Sequence, residues 1–322
     1  MTTARMESGT SEIRTPRVSV ITIFLNAERF LAEAIESVLA QSFENLELIL
    51  VDDGSTDSST DIAKRYAGRD EFRIRYLEHP GHANRGMSAS RNLGISSATG
   101  DFIAFIDADD VWKPKKLEEQ LAILNAHPKV GMVCGTVNYW DSWQGGADKA
   151  IPTGHVRNRP VPNPEAMLAL YPLGTAGAPC PSDILLRSDV VRSVGGFESH
   201  FTGPLQMYED QGFLVKVYLT TPVYFSDKVW LDYRQHEESC VASVVRGGRY
   251  HEVRLYFLNW LEKYIAGQGV VDPRVAAALR RALHCYRRPK RHRLLTLGKR
   301  ITGRVRRIPL SVRRDLKTEA DR

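Results

Sequence analysis

The chain has 322 residues, of which 43% are hydrophobic and 25% charged. That length holds one large domain or two small ones with a core that needs no disulfide or metal staples, and the composition excludes collagen, coiled-coil rods and wholesale disorder. The net charge of +6 hides an asymmetry: residues 280–322 hold 16 of the 44 Lys/Arg and only 3 of the 38 Asp/Glu, so a basic tail of +13 follows an acidic body of −7.

Residues 1–16 are polar and aperiodic and read as a loose arm. Residues 18–25 are short, β-branched and apolar, the pattern of a buried strand. Residues 27–41 place Phe30, Leu31, Ala34, Ile35, Val38 and Leu39 on one helical face. A second buried strand is predicted over 46–51, followed by the turn chemistry of 52–57 and a helix that Asp57 or Ser58 caps. A third strand over 74–78, a helix over 88–98 and a fourth strand over 101–106 complete a strand–helix alternation. Its crossovers are long enough for parallel pairing, so an α/β doubly wound sheet is expected.

Beyond residue 113 the pattern is less regular. A helix is predicted over 114–126 and a strand over 130–139, then a Gly/Pro/Trp-rich loop over 141–164. A short helix follows over 188–194 and a helix over 209–219, then strand, or strand and turn, over 223–230 and 231–235, and helix from Cys240 onward. Cys134, Cys180, Cys240 and Cys285 lie far apart, at no zinc or redox spacing, and read as free thiols of a reducing compartment. The N-terminus lacks an apolar signal region, and the stretch 166–186 is too interrupted to span a membrane.

Three acidic groups can carry chemistry. Asp107 and Asp109 alternate at a strand end, which puts both carboxylates on one side, a donor set suited to Mg²⁺ or Mn²⁺ beside phosphate oxygens. Asp52 and Asp53 precede Gly54, whose conformational freedom lets a carboxylate turn inward. In doubly wound sheets ligands bind beyond the carboxyl ends of the strands, where these two clusters should meet. Glu209 and Asp210 open a predicted helix, where a carboxylate tends to stay ionised and can serve as a general base. Arg85, Arg91, Arg234 and His236 are candidates for phosphate or metal contacts.

The ordered set VSVITIFLN (18–26), AERFLAEAIESVLAQ (27–41), LVDDGSTD (50–57), SRNLG (90–94), GDFIAFIDADD (100–110), VGGFE (194–198) and ED (209–210) resembles family 2 glycosyltransferases of the GT-A fold over about residues 16–240. The resemblance implies an inverting, non-processive transfer of one sugar from a nucleotide-sugar to an acceptor hydroxyl. Asp210 would be the base, with Glu209 beside it. Asp53 would bond the nucleotide base, and Ile23, Phe24, Asn26, Glu28, Arg91, Asp107, Ala108 and Arg234 would line the donor site. Asp109, with Asp107 and His236, would ligate Mn²⁺ or Mg²⁺. The domains expected are 17–240 for transfer and 241–322 as a basic helical extension.

Some positions depart from the family. Ile23 and Leu25 stand where Pro and Tyr are common, so the donor base loses a stacking ring, and Phe24 should face the other way. Lys216 replaces a frequent Arg and loses its planar fork. The Gln-x-x-Arg-Trp signature of processive synthases is absent. A nucleotidyltransferase would carry a Gly-rich basic loop where Asn26, Ala27, Glu28 and Arg29 stand; a non-catalytic nucleotide- or glycan-binding scaffold is the remaining alternative. Bases interleaved with Leu, Ile and Val over 280–314 suit an anionic membrane surface, near a glycan or lipid-linked acceptor, on a cytoplasmic protein. No nucleic acid partner is expected.

Overall fold

The computed structural model describes residues 17–155, 157–269 and 272–287. Its strands are β1 (Val18–Phe24), β2 (Leu46–Asp52), β3 (Ile74–Glu78), β4 (Phe102–Phe105), β5 (Val111–Trp112), β6 (Met132–Trp140), β7 (Lys149–Ile151), β8 (Arg159–Val161), β9 (Leu185–Arg187) and β10 (Val223–Arg234). Its helices are α1 (Leu31–Leu39), α2 (Ser59–Arg69), α3 (Met87–Ser97), α4 (Lys116–Ala126), α5 (Glu165–Ala169), α6 (Ser188–Ser193), α7 (Glu209–Thr220), α8 (Cys240–Arg246), α9 (Tyr250–Gly267) and α10 (Pro273–Arg287).

One sheet runs β3-β2-β1-β4-β9-β6-β10-β5, with β7 on β6 and β8 on β10. The first half is parallel, as the strand–helix alternation predicts. The second half is mixed: β9 is antiparallel to both β4 and β6, and β5 and β8 are antiparallel to β10. Strand order reverses between β1 and β4, and the crevice beyond their carboxyl ends is where such a sheet binds ligands.

Side-chain alternation divides the core. Val18, Val20 and Phe24 point into a layer shared with Ile35, Val38, Leu117 and Leu121. Ile21 and Ile23 point into the other, shared with Phe213, Phe257, Leu261, Leu279 and Leu283. The helices after Cys240 therefore share a core with the sheet.

Several elements differ from the sequence reading. Residues 27–30 form a turn, and α1 starts only at Leu31. Of the alternatives over 223–235, strand or strand and turn, the structure has one bulged strand, β10. The loop 141–164 carries β7 and β8, and α5 and β9 arise where no element was predicted. The short strands β7, β8 and β9 have three residues each and gain their hydrogen bonds from distant partners, so local pattern cannot find them. The arm 1–16 and the tail from 288 onward lie outside the described residues.

Helix α3 sits unusually close to the sheet. A Cβ at Gly94 would lie 2.5 Å from Cγ2 of buried Ile21, a contact real side chains do not make. Gly68 in α2 has nothing within 4 Å of its Cβ position. Gly→Ala gains about 1 kcal/mol of helix propensity, while overpacking costs roughly 1–3 kcal/mol. Gly68→Ala should therefore raise, and Gly94→Ala lower, the urea midpoint of unfolding; a rise for both would mean that α3 is free to move off β1.

Candidate active site

The crevice is built from the backbone turn outward. Gly54 adopts φ +87°, and a Cβ there would lie 2.8 Å from the Asn84 nitrogen, so the turn after β2 and the segment 82–84 pack backbone to backbone. Asp52 accepts the Gly54 and Ser55 N–H groups and fixes this turn. Asn26 takes a left-handed conformation, φ 50°, and its Oδ1 accepts the Thr56 N–H at 2.7 Å. Glu28 accepts the Ser58 N–H at 2.9 Å. Both side chains thus tie the end of β1 to the turn after β2. Ile23 and Phe24 bury their side chains in opposite core layers and offer the crevice only backbone. Leu25 is 45% exposed and is the apolar surface at this spot.

Asp53 is buried, and its carboxylate fills the N-terminus of α3. It accepts the N–H of Arg85 at 2.7 Å and of Gly86 at 3.0 Å, and the Ser90 hydroxyl at 3.0 Å. Gln206 caps the next position by accepting the Met87 N–H at 2.7 Å. Successive residues of α3 then diverge. Ser90 reaches Asp53, Asn92 brackets the backbone of Phe197 through both its amide atoms, and Arg91 points into the crevice.

Arg91 is 3% exposed. Its guanidinium pairs with Asp107 at 2.6 Å and with Glu209, and lies over the Phe197 ring. It joins the turn after β4 to the first residue of α7. The sequence reading placed Arg91 against the donor; the structure commits its fork to two carboxylates.

The acidic turn also differs from expectation. β4 ends at Phe105, and the Asp110 N–H bonds the Asp107 carbonyl, so residues 107–110 form a turn in which strand alternation no longer applies. Asp107 turns to Arg91, while Asp109 turns to His236, 2.7 Å from its Nε2. Ala108 between them is buried. Asp110, fully buried, accepts the Ser182 hydroxyl and the Arg234 N–H, and Ser182 also accepts the Asp107 N–H. Ser182 and the role of Asp110 escape sequence reasoning, because they belong to contacts between segments 70 to 125 residues apart.

Arg234 lies beneath this turn. It donates to the Asp109 carbonyl at 2.7 Å, pairs with Glu33, and is enclosed by the rings of Phe30, Trp140 and Trp143 at 4.3–5.0 Å. Of the two residues expected to reach phosphate or metal here, Arg234 is buried in this clamp and His236 faces Asp109.

Among the described residues no group of three or more His, Cys, Asp and Glu is arranged to hold a metal. The Asp109–His236 pair still fits part of a ligand set. Asp109 is about one-third exposed, and a carboxylate with an imidazole leaves most positions of a hard cation for phosphate oxygens and water. Asp107, held by Arg91, is not in that pair.

Glu209 and Asp210 are the first residues of α7, as predicted. The Asp210 carboxylate accepts the Gln211 N–H at 2.6 Å. Burial pushes Asp210 up to about 6, opposed by its bonds to Gln211 and the charge of Arg91. Burial likewise pushes Glu209 up to about 8, with Arg91 pulling against it. A helix N-terminus contributes about 0.3–1 kcal/mol, less than the 1.4 kcal/mol or so of a single pKa unit. Desolvation therefore overrides the ionising effect expected from helix position. Cys240 lies near these carboxylates; burial and their charge raise its thiol to about 11, so it stays protonated and is no nucleophile. Lys216 is buried and pairs with Glu198 at 2.8 Å.

Residues 19–189, just over half of the chain, match the model of Glycosyl transferase family 2. The protein named "Putative glycosyltransferase EpsE" of Bacillus subtilis (strain 168) is 38% identical over 184 residues, which cover 57% of this chain and 61% of that protein. The chain thus spans about three fifths of that relative's length. Among solved structures, the mannosyltransferase PcManGT from Pyrobaculum calidifontis, in complex with GDP-Man and Mn²⁺, aligns with TM-score 0.60 at 18% identity over 96% of this chain and 81% of that one. S. aureus TarS 1-349 in complex with UDP-GlcNAc aligns with TM-score 0.58 at 21% identity over 75% and 65%. At these identities the likeness is one of fold.

Removing the Arg91 cation leaves two carboxylates facing each other without compensation. Arg91→Met should lower unfolding stability by about 3–5 kcal/mol, read by urea denaturation at pH 8. A loss below 1 kcal/mol would show that Asp107 and Glu209 do not depend on it.

Proposed function

The chain belongs to glycosyl transferase family 2 and has its GT-A fold, and from that premise we propose that it moves one sugar from a nucleotide-sugar to an acceptor hydroxyl with inversion. The observation that carries this reading is the Arg91 bridge: it sets the turn bearing Asp109 against the helix bearing Asp210. On this reading Asp109 serves the leaving diphosphate and Asp210 the attacking hydroxyl.

The acceptor hydroxyl attacks the anomeric carbon as the bond to the diphosphate oxygen breaks. Asp210 takes the hydroxyl proton, and the nucleoside diphosphate leaves with the bonding pair. One in-line displacement inverts the centre and needs no covalent sugar–enzyme bond. Asp109 and His236 would hold a divalent cation, Mn²⁺ or Mg²⁺, which when bound offsets the charge gained by the leaving diphosphate. Asp53 orders the base end of the donor site through α3 and, with the Leu25 surface, would meet the nucleotide base. UDP- and GDP-sugars are both open as donors, since TarS binds UDP-GlcNAc and PcManGT binds GDP-Man.

Residues 17–240 form the transfer unit of this reading, and its acceptor is a cell-surface glycan or a lipid-linked precursor. Among the described residues no helix is long and apolar enough to cross a membrane. Contact with an anionic cytoplasmic leaflet would come from 280–314, of which the described part contributes exposed Arg280, Arg281 and Arg287 on α10. Leu283 is fully buried, so a cut at residue 279 would damage the core.

Three measurements follow. With Mn²⁺ present, a panel of UDP-, GDP- and dTDP-sugars should yield slow release of one nucleoside diphosphate, lost in Asp109→Ala and Asp210→Asn; no nucleotide binding at all would favour a non-catalytic scaffold. Because the base acts deprotonated, turnover should rise through about pH 6 and then level off; a rate flat from pH 5 to 8 would remove Asp210 from the role. In co-sedimentation with anionic vesicles, residues 1–287 should bind at least tenfold more weakly than the full chain, and equal binding would exclude the tail as an anchor.

A further inference from the structure

The residue before Glu209 and Asp210 is Tyr208, at the end of the 3₁₀ turn Gly203–Tyr208. It is 2% exposed. Its ring stacks flat on Phe257 of α9, with centroids 4.9 Å apart and planes at 19°. Its hydroxyl meets that of Tyr171 at 2.8 Å. Tyr171 is the hub: its oxygen also meets the Tyr250 hydroxyl and accepts from Arg254 Nε at 3.1 Å. Arg254 reaches Tyr286 of α10 at 3.3 Å. Four phenols and one guanidinium thus connect two C-terminal helices to the residue that enters α7.

We infer that this network makes α9 and α10 a positioning element for Asp210, with Tyr171, Tyr208 and Arg254 as positioning residues. The inference rests on the proposed role of Asp210 as base. Tyr208 offers α7 no side-chain cap, so its contribution to placing the first turn of α7 comes through where its ring and hydroxyl are held. On one side Arg91 grips Glu209; on the other the phenol network grips Tyr208. Asp210 follows directly after both anchors. An anchor of this kind matters to rate more than to donor binding, because the donor residues of this reading lie on β1, α3 and β10 and in the turns after β1, β2 and β4, not on α7. Misplacement of a catalytic group by about 1 Å costs on the order of 100-fold.

The test uses the full chain with Tyr171→Phe, which keeps the ring and removes the hub oxygen, and Arg254→Met. In donor hydrolysis with Mn²⁺, each should lower kcat about tenfold while the donor KM stays within twofold. Hydrogen exchange should accelerate about tenfold in peptides spanning 205–216 and remain unchanged over β1 and β4. Unchanged exchange over 205–216, or a KM that rises in step with the fall in kcat, overturns the inference. Should either variant fail to fold, Tyr250→Phe removes only the link to the start of α9 and should shift both readouts in the same direction by about threefold; no shift also overturns it. If Asp210→Asn hydrolyses donor as fast as the wild-type chain, the reading of Asp210 as base is what has failed; if the wild-type chain hydrolyses no donor, the exchange experiment alone decides the positioning role.

Discussion

A guanidinium buried between two carboxylates is the constraint around which this crevice is arranged. Arg91 and Glu209 are both taken out of water and Asp107 partly so, at a cost of several kcal/mol per buried ion that only close geometry repays. Arg91 can occupy that position because α3 lies against β1, and α3 can lie there because Gly94 has no side chain to meet Ile21. Its neighbours extend the same logic. Ser90 and Asn92, on either side of Arg91, tie α3 to Asp53 and to Phe197, so one tripeptide fixes the base end, the centre and the far wall of the crevice. The separation of these directions is a property of the helix, about 100° per residue.

The acidic turn shows a division of labour among identical side chains. Three aspartates within four residues would repel one another if all faced the same space. Asp107 is neutralised by Arg91, Asp110 is buried on Ser182 and the Arg234 backbone, and only Asp109 is left facing His236. The burial of Asp110 and the charges of its neighbours drive its carboxyl well above the ordinary range. A protonated or hydrogen-bonded Asp110 relieves the repulsion that an exposed third carboxylate would create. Arg234 completes the support from beneath, its charge spread over three rings and Glu33.

What could be read in the sequence follows from range. β1 and β2 are legible from local pattern, because each is a run of seven buried residues bounded by turn residues, and the strand–helix alternation extends the reading to β3 and β4. The order β3-β2-β1-β4 is not legible in this way, since parallel crossovers fix handedness and not order. Nor is β9, since three residues between β4 and β6 gain their identity from both neighbours. The site shows the same limit. The ordered motifs placed the acidic turns and the Glu209–Asp210 pair correctly on their elements. They could not say where Arg91 and Arg234 point, because a cation's partner is set by tertiary packing. Helix position suggested ionised carboxylates at α7, whereas desolvation, visible only in three dimensions, pulls the other way.

The family match ends at residue 189, before α7 begins. β1 from Ser19 onward, β2, α3 and β4 lie inside that match, and α7 with Asp210 lies in the remainder. That remainder is not a loose appendage. Phe213 of α7 packs in the same core as Phe257 and Leu261 of α9 and Leu279 of α10. A helix whose first turn holds two desolvated carboxylates cannot rely on its own cap, since burial there works against charge. It is held from outside, by Arg91 on Glu209 and by its packing, and among the described residues after 240 the longest elements are α9 and α10. α9 and α10 thus share the core that carries α7, so packing continues across the boundary expected at 240.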